Sequence, residues 1–545
     1  MAHSTLLKKI QAMVKAHVEA EKRHIPVEAL LERKGEQREK NEWSSPLTRR
    51  DFLVRAMGLG VAATVPFTKF GRSAVQPRIA IVGGGLAGLS AALKLHDNGL
   101  YATIYEASGT RIGGRILTER GGPDFAWADG QITNVFAEYI DSDHYAMIKL
   151  AKRFGIPLIP HWKTWPKETK MWQFANGARY SQWQANKDWA AFREKVVADL
   201  NSAPWPQTYN NSTAAGRLLD NMTTYDWIES RVPGGHTSAM GMLLDAAFTM
   251  EFGADSTQQS CLGLIYLLAY SQSDTFQIFG SEEEMYTVEG GCERMIEAMA
   301  DQIGHPCQLD RKLRKIKLKS DGTYRLDFES GDGGTHSKTA DYVILAFPFA
   351  AMKESLDITE AGFDALKKRT IRKLGAGHHA KLTTQFTSRF WNAAGNNGTT
   401  ISDLLQWTWD TTIGQAGASG ILVDYFGGDT AISALQSRHC YLNSNSAKVV
   451  ADTQAFLSKL NQIFPGASSH WNGKSAISLM HLSPESRCSY SYYKPGNFTT
   501  IAGYEQVRQG NILFAGDQCD LEWQGYLEAA VKTGKKAAMD IIREL

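Results

Sequence analysis

The feature that most constrains the fold is a glycine-rich turn between two short apolar runs near the start of the sequence. Gly83, Gly85 and Gly88 have the spacing G-x-G-x-x-G and follow the apolar run Ile79–Val82. An alanine- and leucine-rich stretch with helical periodicity, Leu86–His96, comes next, and a second apolar run follows it. This order predicts a strand, a tight turn, a helix and a second strand, which is the unit that binds a dinucleotide.

Each glycine of this unit has a physical role. Gly83 permits the tight turn, Gly85 lets the backbone approach a pyrophosphate, and Gly88 lets the helix pack closely on the strand. Free N–H groups at the helix N-terminus favour the phosphates. Glu106, which follows the second apolar run, is expected to hold the hydroxyl pair of a ribose.

A second pair of glycines distinguishes FAD from a nicotinamide cofactor. Gly113 and Gly114 stand between Arg111 and Arg115. The glycines allow another close backbone approach, and each arginine can fork onto phosphate oxygens. A nicotinamide dehydrogenase does not need a second phosphate clamp so soon after the ribose acid, so the sequence indicates FAD.

This segment resembles the flavin-containing amine oxidase family, which includes monoamine, polyamine and L-amino-acid oxidases. The resemblance implies that Gly114 and Arg115 contact the FAD pyrophosphate. Further segments similar to the family follow in family order, from about residue 77 to the C-terminus: residues 251–260, 288–291, 313–316, 343–348, 379–391, 514–517 and 523–534.

The same resemblance assigns the catalytic end of the site. Lys381 matches the family lysine that reaches the flavin N5 atom through a water molecule. Tyr526 and Trp523 match an aromatic pocket wall, with Tyr526 over the substrate face of the flavin. Glu138 is expected to contact the flavin side rather than the substrate.

The C-terminal segment resembles the family's second flavin motif. Gly516 would let the backbone touch the cofactor, and Asp517 belongs to the same motif. A helix predicted from Gly525 would aim its N-terminus at the flavin ring, with Gly534 as a small contact position.

One cysteine raises the question of how the flavin is attached. Cys488 falls where monoamine oxidases hold a cysteine that is covalently bound to FAD. Many relatives with a similar Tyr-x-x-Pro-Gly ending have no such bond, so non-covalent FAD is expected and a covalent bond through Cys488 is the alternative. The six cysteines have no C-x-x-C spacing, and no metal site is expected.

The expected fold class is α/β (α+β), with an FAD-binding Rossmann-like βαβ domain, a mixed-sheet substrate domain and a helical domain. The predicted boundaries are an N-terminal helical extension at 1–44, a twin-arginine-like segment at 45–76, the FAD-binding domain at 77–145, 281–348 and 486–545, the helical domain at 146–280 and the substrate domain at 349–485.

The implied activity is oxidative deamination of L-amino acids, with apolar or aromatic side chains favoured, to 2-oxo acids, ammonia and hydrogen peroxide. Many L-amino-acid oxidases clamp the substrate carboxylate with an arginine, but Tyr139 stands at the matching position. A phenol cannot replace a bidentate clamp at equal strength. A primary amine oxidase acting on monoamines or polyamines is therefore the alternative. The Lys381 motif argues against a third reading, a flavin-binding protein without turnover.

Composition and charge limit the kinds of partner that the chain can bind. The 545-residue chain has a formal net charge of +2, which gives no electrostatic footprint for nucleic acid. No stretch is long and apolar enough for a spanning helix, so stable membrane anchoring is not expected. The expected partners are the amino acid or amine, molecular oxygen and further copies of the chain in a homo-oligomer.

The N-terminal region carries a targeting pattern. Arg49 and Arg50 precede Phe52, Leu53 and an alanine- and glycine-rich run. This is typical of a twin-arginine signal, which exports proteins already folded around a cofactor. A bacterial, periplasmic location is expected if the signal is functional, and a cytoplasmic one otherwise.

Overall fold

The computed structural model describes residues 76–161, 164–269, 275–279, 284–304, 306–434 and 439–545. Pro77–Leu545 cluster as one structural unit, distinct from Met1–Gln76. The predicted N-terminal helices and all but the last residue of the twin-arginine-like segment lie outside the described residues. No helix in the described stretches combines the length and the apolar character needed to cross a bilayer.

The predicted βαβ unit is confirmed at its predicted bounds. Strand β1 is Ile79–Val82, helix α1 is Leu86–His96 and strand β2 is Ala102–Tyr105. Helix α1 is buried along almost its whole length, which its small and apolar side chains allow. The next elements are β3 Thr118–Glu119, β4 Thr133–Asn134, α2 Tyr145–Arg153, β5 Leu158–Pro160, β6 Lys170–Ala175 and β7 Ala178–Arg179.

A run of helices follows over residues 182–268, whereas the earlier part of the predicted helical domain, 146–280, also holds strands β5, β6 and β7. The helices are α3 Gln182–Ala190, α4 Arg193–Ser202, α5 Ala214–Asp220, α6 Thr224–Arg231, α7 Ala239–Phe252 and α8 Cys261–Leu268. Most of them begin directly after a serine or threonine whose hydroxyl accepts a backbone N–H of the first turn, namely Ser181, Thr213, Thr223, Ser238 and Ser260. Such caps satisfy donors that the helix cannot pair internally.

The chain then alternates between strands and helices. The elements up to residue 376 are β8 Tyr286–Val288, α9 Glu293–Ile303, β9 Lys312–Leu318, β10 Tyr324–Glu329, β11 Thr335–Ala340, β12 Tyr342–Leu345, α10 Phe349–Ser355, β13 Asp357–Glu360, α11 Ala365–Lys373 and β14 Gly375–Ala376. The remaining elements are β15 His379–Phe386, α12 Phe390–Ala393, β16 Asn396–Ser402, β17 Gln406–Asp410, β18 Gly420–Gly427, α13 Gly428–Ser433, β19 Tyr441–Asn443, α14 Ala447–Ile463, β20 Trp471–Leu479, β21 Ser491–Tyr492, β22 Ile512–Phe514 and α15 Leu527–Glu544.

A parallel sheet with the strand order β2–β1–β12–β22 is formed within the described chain. Val82 pairs with both Tyr105 and Leu345, and Leu345 pairs with Phe514, so the four strands end at one edge. Ligands of open parallel sheets bind at this carboxyl edge. The sheet therefore places the glycine turn after β1 and the C-terminal motif after β22 beside each other.

Helices α1 and α15 pack closely against each other. A Cβ atom at Gly534 would lie 2.1 Å from the carbonyl oxygen of Ala87, so the two backbones approach at a distance only glycine permits. The small contact position predicted at Gly534 is confirmed.

A larger mixed sheet has the strand order β19–β20–β15–β18–β17–β16–β6–β7. Its two faces contact different parts of the molecule. Lys381 of β15 pairs with Tyr425 of β18 and with Ser478 of β20, so these three side chains share one face. Leu382 and Ile477 share the opposite face and pack in a core with α14. One face of the sheet therefore packs in the hydrophobic core, and the other face can form part of a binding site.

Candidate active site

A cavity extends along the carboxyl edge of the parallel sheet and reaches the Lys381 face of the mixed sheet. The predicted site residues that line it are Gly83, Gly85, Glu106, Gly114, Arg115, Lys381, Gly516, Asp517 and Tyr526. Gly88, Glu138 and Trp523 do not line it. The structure thus brings together residues that are up to 443 positions apart in the sequence, from Gly83 to Tyr526.

The two glycine segments contact each other and form one side of the cavity. The N–H of Gly113 donates to the carbonyl of Gly84 at 2.9 Å. A Cβ at Gly88 would lie 1.9 Å from the Gly83 oxygen, so Gly88 is required for packing. A Cβ at Gly85 would meet no atom of the chain closer than 3.8 Å. The space beside Gly85 is therefore cavity space, available to a ligand.

Two helix N-termini open onto the same cavity. Helix α1 begins after Gly85 and α15 begins after Tyr526, and neither has a side-chain cap. Both first turns contribute lining residues, Leu86 and Leu527 among them. Uncapped N–H groups and the positive ends of two helix dipoles attract anionic groups. This donor set fits the pyrophosphate of FAD at one end and the polar edge of its ring at the other.

Glu106 is buried at the end of β2, where the prediction places a ribose ligand. Its carboxylate accepts the N–H of Gly84 at 2.7 Å and that of Ser108 at 2.8 Å. Burial raises the pKa of this carboxyl, and the two backbone hydrogen bonds oppose the rise. Since each oxygen retains acceptor capacity and the residue lines the cavity, Glu106 is placed to accept ribose hydroxyls.

Arg115 is oriented by the chain's own groups. Its guanidinium forms an ion pair with Asp517 and donates to the carbonyl of Ser489 at 2.5 Å. Gly516, next to Asp517, has φ +133°, and its N–H donates to the Thr533 hydroxyl at 2.9 Å. The N-terminal and C-terminal motifs are therefore joined by a fixed charge pair at the cavity wall.

Cys488 is buried but does not line the cavity. Burial raises the pKa of its thiol to about 12, with Arg115 opposing the rise. A thiol in this environment stays protonated and is a weak nucleophile.

Lys381 is held by a buried ion pair at the far end of the cavity. Its ammonium pairs with the carboxylate of Glu138, and each side chain is only 4% exposed. The ammonium also donates to the carbonyl of Asn134 at 2.6 Å, and the second carboxylate oxygen of Glu138 accepts the hydroxyl of Thr411. Glu138 therefore positions Lys381 from behind the cavity wall.

Three aromatic residues beside Lys381 were not among the predicted site residues. The His379 ring lies 4.7 Å from the rings of both Tyr425 and Tyr490, and all three line the cavity. Burial lowers the pKa of His379 to about 3, so this ring is neutral at physiological pH. Side chains alternate between the two faces of β15, so His379 lies on the same face as Lys381. The sequence predicts this position once the strand is recognised.

The rings of the two predicted wall residues of the C-terminal motif, Trp523 and Tyr526, lie 6.2 Å apart. Of the two, only Tyr526 lines the cavity. The ring of Trp523 lies instead 4.9 Å from the ring of His144, and the Lys532 ammonium lies 5.9 Å from the Trp523 centroid. Loop geometry, which no local pattern encodes, directs Trp523 away from the cavity.

Tyr139 occupies the position at which the resemblance predicts an arginine that binds the substrate carboxylate. Its phenol ring is half-buried. The Tyr139 ring lies 5.8 Å from that of Trp409 and 4.9 Å from that of His161. Among the described lining residues the guanidinium groups are Arg115, already bound to Asp517, and Arg311, which donates to the carbonyl of Asp310 at 2.7 Å. Both are bound to other groups of the chain, so a carboxylate would depend on other donors.

Comparison with known proteins agrees with the geometry. The flavin containing amine oxidoreductase profile matches residues 86–542. An L-amino-acid oxidase of Vipera ammodytes ammodytes is 23% identical over 85% of this chain and 92% of its own. A flavin-containing amine oxidase of Oncorhynchus mykiss is 22% identical over 86% of each chain.

A solved structure shares the fold. Cyclohexylamine oxidase from Brevibacterium oxydans IH-35A superposes with a TM-score of 0.71 at 20% identity, over 86% of this chain and 99% of that one. The profile match, which spans the Lys381 segment and the C-terminal flavin motif, shows that the chain belongs to the flavin containing amine oxidoreductase family.

Proposed function

We propose that this protein is an FAD-dependent oxidase that converts L-amino acids to 2-oxo acids, ammonia and hydrogen peroxide. The observation that carries the proposal is the buried Lys381, fixed by Glu138 and Asn134 at the point where the cofactor cavity meets the mixed sheet. When bound, FAD supplies the two-electron oxidation of the C–N bond and passes the electrons to oxygen. The chain positions the substrate, supplies charged groups and excludes water from the site.

Lys381 can hold a water molecule at a fixed place. Two of its three N–H bonds point to the Glu138 carboxylate and the Asn134 carbonyl. The third has only a long contact, 3.5 Å, with the carbonyl of Phe136. Since Lys381 lines the cavity, this donor is free to order a water molecule or a polar ring atom there.

The surrounding rings favour the neutral form of the reacting amine. Tyr425, Tyr490 and Tyr526 line this end of the cavity, and His379 carries no charge there. An apolar wall disfavours an ammonium group, so the amine gives up a proton before oxidation. The same rings suit the carbon stem of an amino acid.

A carboxylate would depend on a donor other than an arginine. Tyr526 lines the cavity, and its hydroxyl can donate to a carboxylate. Trp409 has a buried ring N–H with no hydrogen-bond partner among the described residues, but Trp409 does not line the cavity.

Oxidation of amines that lack a carboxylate is the second candidate. It is favoured because both guanidinium groups among the described lining residues are already bound to other groups of the chain. One hydroxyl is a weaker anchor than a bidentate arginine, so the carboxylate would contribute less to binding than in an arginine-clamped site.

We further propose that the flavin is bound non-covalently, one molecule per chain. The support is that Cys488 does not line the cavity and that burial keeps its thiol protonated. Acid precipitation of the yellow holoenzyme should leave the flavin in the supernatant, whereas yellow pellet protein would identify a covalent bond.

A peroxide assay tests the proposed function. Purified holoenzyme is given a panel of L-amino acids, their D-enantiomers and the amines formed by removing the carboxylate. Turnover of L-amino acids well above the other two groups is expected. Faster turnover of the amines would replace the first candidate with the second, and flavin that no compound reduces would refute both.

A further inference from the structure

His379 lies where three segments of the chain meet at the cavity. Its own strand, β15, carries Lys381 two residues later, and both side chains line the cavity. The last turn of α7 and residues 489–490 contact the same imidazole ring. The contacting residues are 129 and 110 positions away from His379 in the sequence. One side chain therefore joins three elements around the substrate end of the cavity.

The imidazole ring of His379 is enclosed by backbone. A Cβ atom at Gly253 would lie 2.3 Å from Cε1 of the ring, and Gly253 has φ +62° directly after α7. A Cβ atom at Gly427, which pairs with His379 across the ladder, would lie 3.3 Å from Cδ2. Glycine at position 253 therefore both ends the helix and leaves room for the ring.

The hydrogen bonds of His379 determine which ring nitrogen carries the proton. Nε2 contacts the carbonyl oxygen of Met250, which can only accept, so we assign the proton to Nε2. Burial lowers the pKa of His379 to about 3, so the ring is neutral and Nδ1 has a lone pair. The hydroxyl oxygen of Ser489 lies 2.5 Å from Nδ1 and donates to it. The carbonyl of Gly377, the other acceptor near this hydroxyl, already receives the Ser489 N–H at 2.9 Å.

The Nε2 side of the ring also contacts the hydroxyl of Tyr490. This hydroxyl donates to the carbonyl of Glu251 at 2.8 Å, and its oxygen lies 3.1 Å from Nε2. The Nε2 proton is therefore shared between the Met250 carbonyl and the Tyr490 oxygen, a three-centre arrangement that is common at helix termini. The Tyr490 ring is held at the end of α7 by one bond that it donates and one that it accepts.

The face of the imidazole positions a second phenol ring. The Tyr425 ring lies 4.7 Å from that of His379, and the two planes are within 6° of parallel. The Tyr425 hydroxyl donates to the Tyr490 oxygen at 3.4 Å. Both tyrosines line the cavity, so two of its aromatic wall residues are held by contacts with one histidine.

Ser489 extends the influence of His379 to the cofactor end of the cavity. The Ser489 carbonyl accepts the guanidinium of Arg115 at 2.5 Å, and Arg115 is paired with Asp517. The hydroxyl of the same residue donates to His379. A shift of residues 489–490 away from the imidazole would therefore move an acceptor of Arg115 as well as the Tyr490 ring.

We propose that His379, with its proton on Nε2, is a positioning residue that fixes residues 489–490 and so orders both ends of the cavity. Nδ1 acts through Ser489 on Arg115 at the cofactor end, and Nε2 acts through Tyr490 on the aromatic wall at the substrate end. The effect on the substrate rests on the proposed function, because it takes the reacting amine to lie beside these rings. The effect on the cofactor requires only that FAD occupies the cavity.

Two conservative variants separate the two nitrogens of the ring. The amide of His379→Asn reaches about as far as Nδ1, so it keeps an acceptor for Ser489 and loses the contacts with Met250 and Tyr490. The amide of His379→Gln reaches about as far as Nε2, so it keeps a donor for Met250 and loses the contact with Ser489. His378→Asn, the same change at a neighbour that does not line the cavity, is the matched control.

Release of FAD from the holoenzyme tests the Nδ1 side. The rate is followed by the fluorescence of free FAD after dilution. His379→Gln should release FAD about tenfold faster than wild type, whereas His379→Asn and the control should stay within about twofold. Unchanged release from His379→Gln would overturn the link between the imidazole and Arg115.

Steady-state kinetics with the fastest substrate of the peroxide panel tests the Nε2 side. His379→Asn should raise KM about tenfold with kcat within about threefold, because the Tyr490 ring loses a partner, and His379→Gln should keep KM within about threefold. Equal losses of both properties in the two variants would mean that His379 has only a structural role and would overturn the proposal.

Variants of the two partners repeat the test without altering the imidazole. Ser489→Ala should release FAD as fast as His379→Gln, and Tyr490→Phe should raise KM as much as His379→Asn. The opposite pattern would overturn the proposal even if neither His379 variant folds. Failure of every compound to reduce the flavin would refute only the oxidase, because FAD release needs no turnover.

Discussion

The cofactor end and the substrate end of the cavity are built by different physical means. At the cofactor end, the binding groups belong mostly to the backbone: Gly85 leaves space, and the first turns of α1 and α15 offer N–H donors. At the substrate end, the groups are side chains from distant strands and loops, with Lys381 of β15 and Glu138 of the loop after β4 forming a buried pair. Backbone sites tolerate few residue types, whereas side-chain sites allow the substrate to change within one family.

The largest expected effect separates packing from binding within the glycine motif. Gly88→Ala should prevent folding of the nucleotide-binding unit, because its Cβ would lie 1.9 Å from the Gly83 oxygen, which cannot move away. A loss of at least about 4 kcal/mol is expected. Gly85→Ala should fold normally, since its Cβ meets nothing within the chain closer than 3.8 Å. It should bind FAD about a hundredfold more weakly, because the methyl group occupies ligand space.

Thermal unfolding of the FAD-free proteins and fluorescence titration with FAD measure both effects. A stable Gly88→Ala protein would show that α1 can move off the strand. Wild-type FAD affinity in Gly85→Ala would place the pyrophosphate elsewhere in the cavity.

The difference between the two ends explains what the sequence could and could not predict. The βαβ unit and its glycine roles follow from local spacing, and the observed strands and helix have the predicted bounds. The sequence predicts that the C-terminal helix begins at Gly525, but the observed helix begins at Leu527, because a turn precedes its first hydrogen-bonded residue. Local rules therefore recover local structure with small errors at element ends.

The substrate end resisted prediction for a physical reason. Tyr425 is one aromatic residue of an apolar strand, and nothing near it in the sequence distinguishes it from a core residue. Its place in the site follows only from the pairing of β18 with Lys381 on β15. Lys381 is predicted because a family segment surrounds it, whereas its ion pair with Glu138 is not predicted.

The second prediction breaks the charge pair at the substrate end. Lys381→Met should leave FAD bound but slow both the reductive and the oxidative half-reactions in stopped-flow traces, because the ordered donor beside the cavity is lost. It should also destabilise the protein by about 3–5 kcal/mol, because the Glu138 carboxylate remains buried without its cation.

A double variant separates these two consequences. Lys381→Met combined with Glu138→Gln should recover most of the stability, since no uncompensated charge remains, but should not recover the rates. If the double variant is as fast as wild type, Lys381 has only a structural role.

The third prediction uses pH to change the charge of Glu251. Glu251, whose pKa is raised to about 7 by burial and by Asp141, is neutral below that pH and negative above it. The negative charge on this side chain therefore increases as the pH rises through about 7.

Stability should move in the opposite direction. A carboxyl with a raised pKa binds its proton more tightly in the folded than in the unfolded chain, so its contribution is full at low pH. That contribution is lost as the pH rises from the ordinary value of 4.5 through about 7. Chemical unfolding of wild type and Glu251→Gln across this range measures it, and curves that stay parallel would exclude Glu251 as the titrating group.

The smallest expected effect distinguishes the two aromatic residues that the sequence placed together. Trp523→Phe should change kcat/KM by less than about twofold, because its ring packs on His144 and does not line the cavity. Stability should fall by about 1 kcal/mol, since the smaller ring keeps the aromatic contact but fills less space. Tyr526→Leu, which alters a ring that does line the cavity, should raise KM about tenfold with little change in stability. Steady-state kinetics measures the change in kcat/KM for both variants, and thermal unfolding measures the change in their stability. Equal kinetic losses in the two would mean that Trp523 also contacts the substrate, and that the C-terminal loop closes over the cavity when substrate binds.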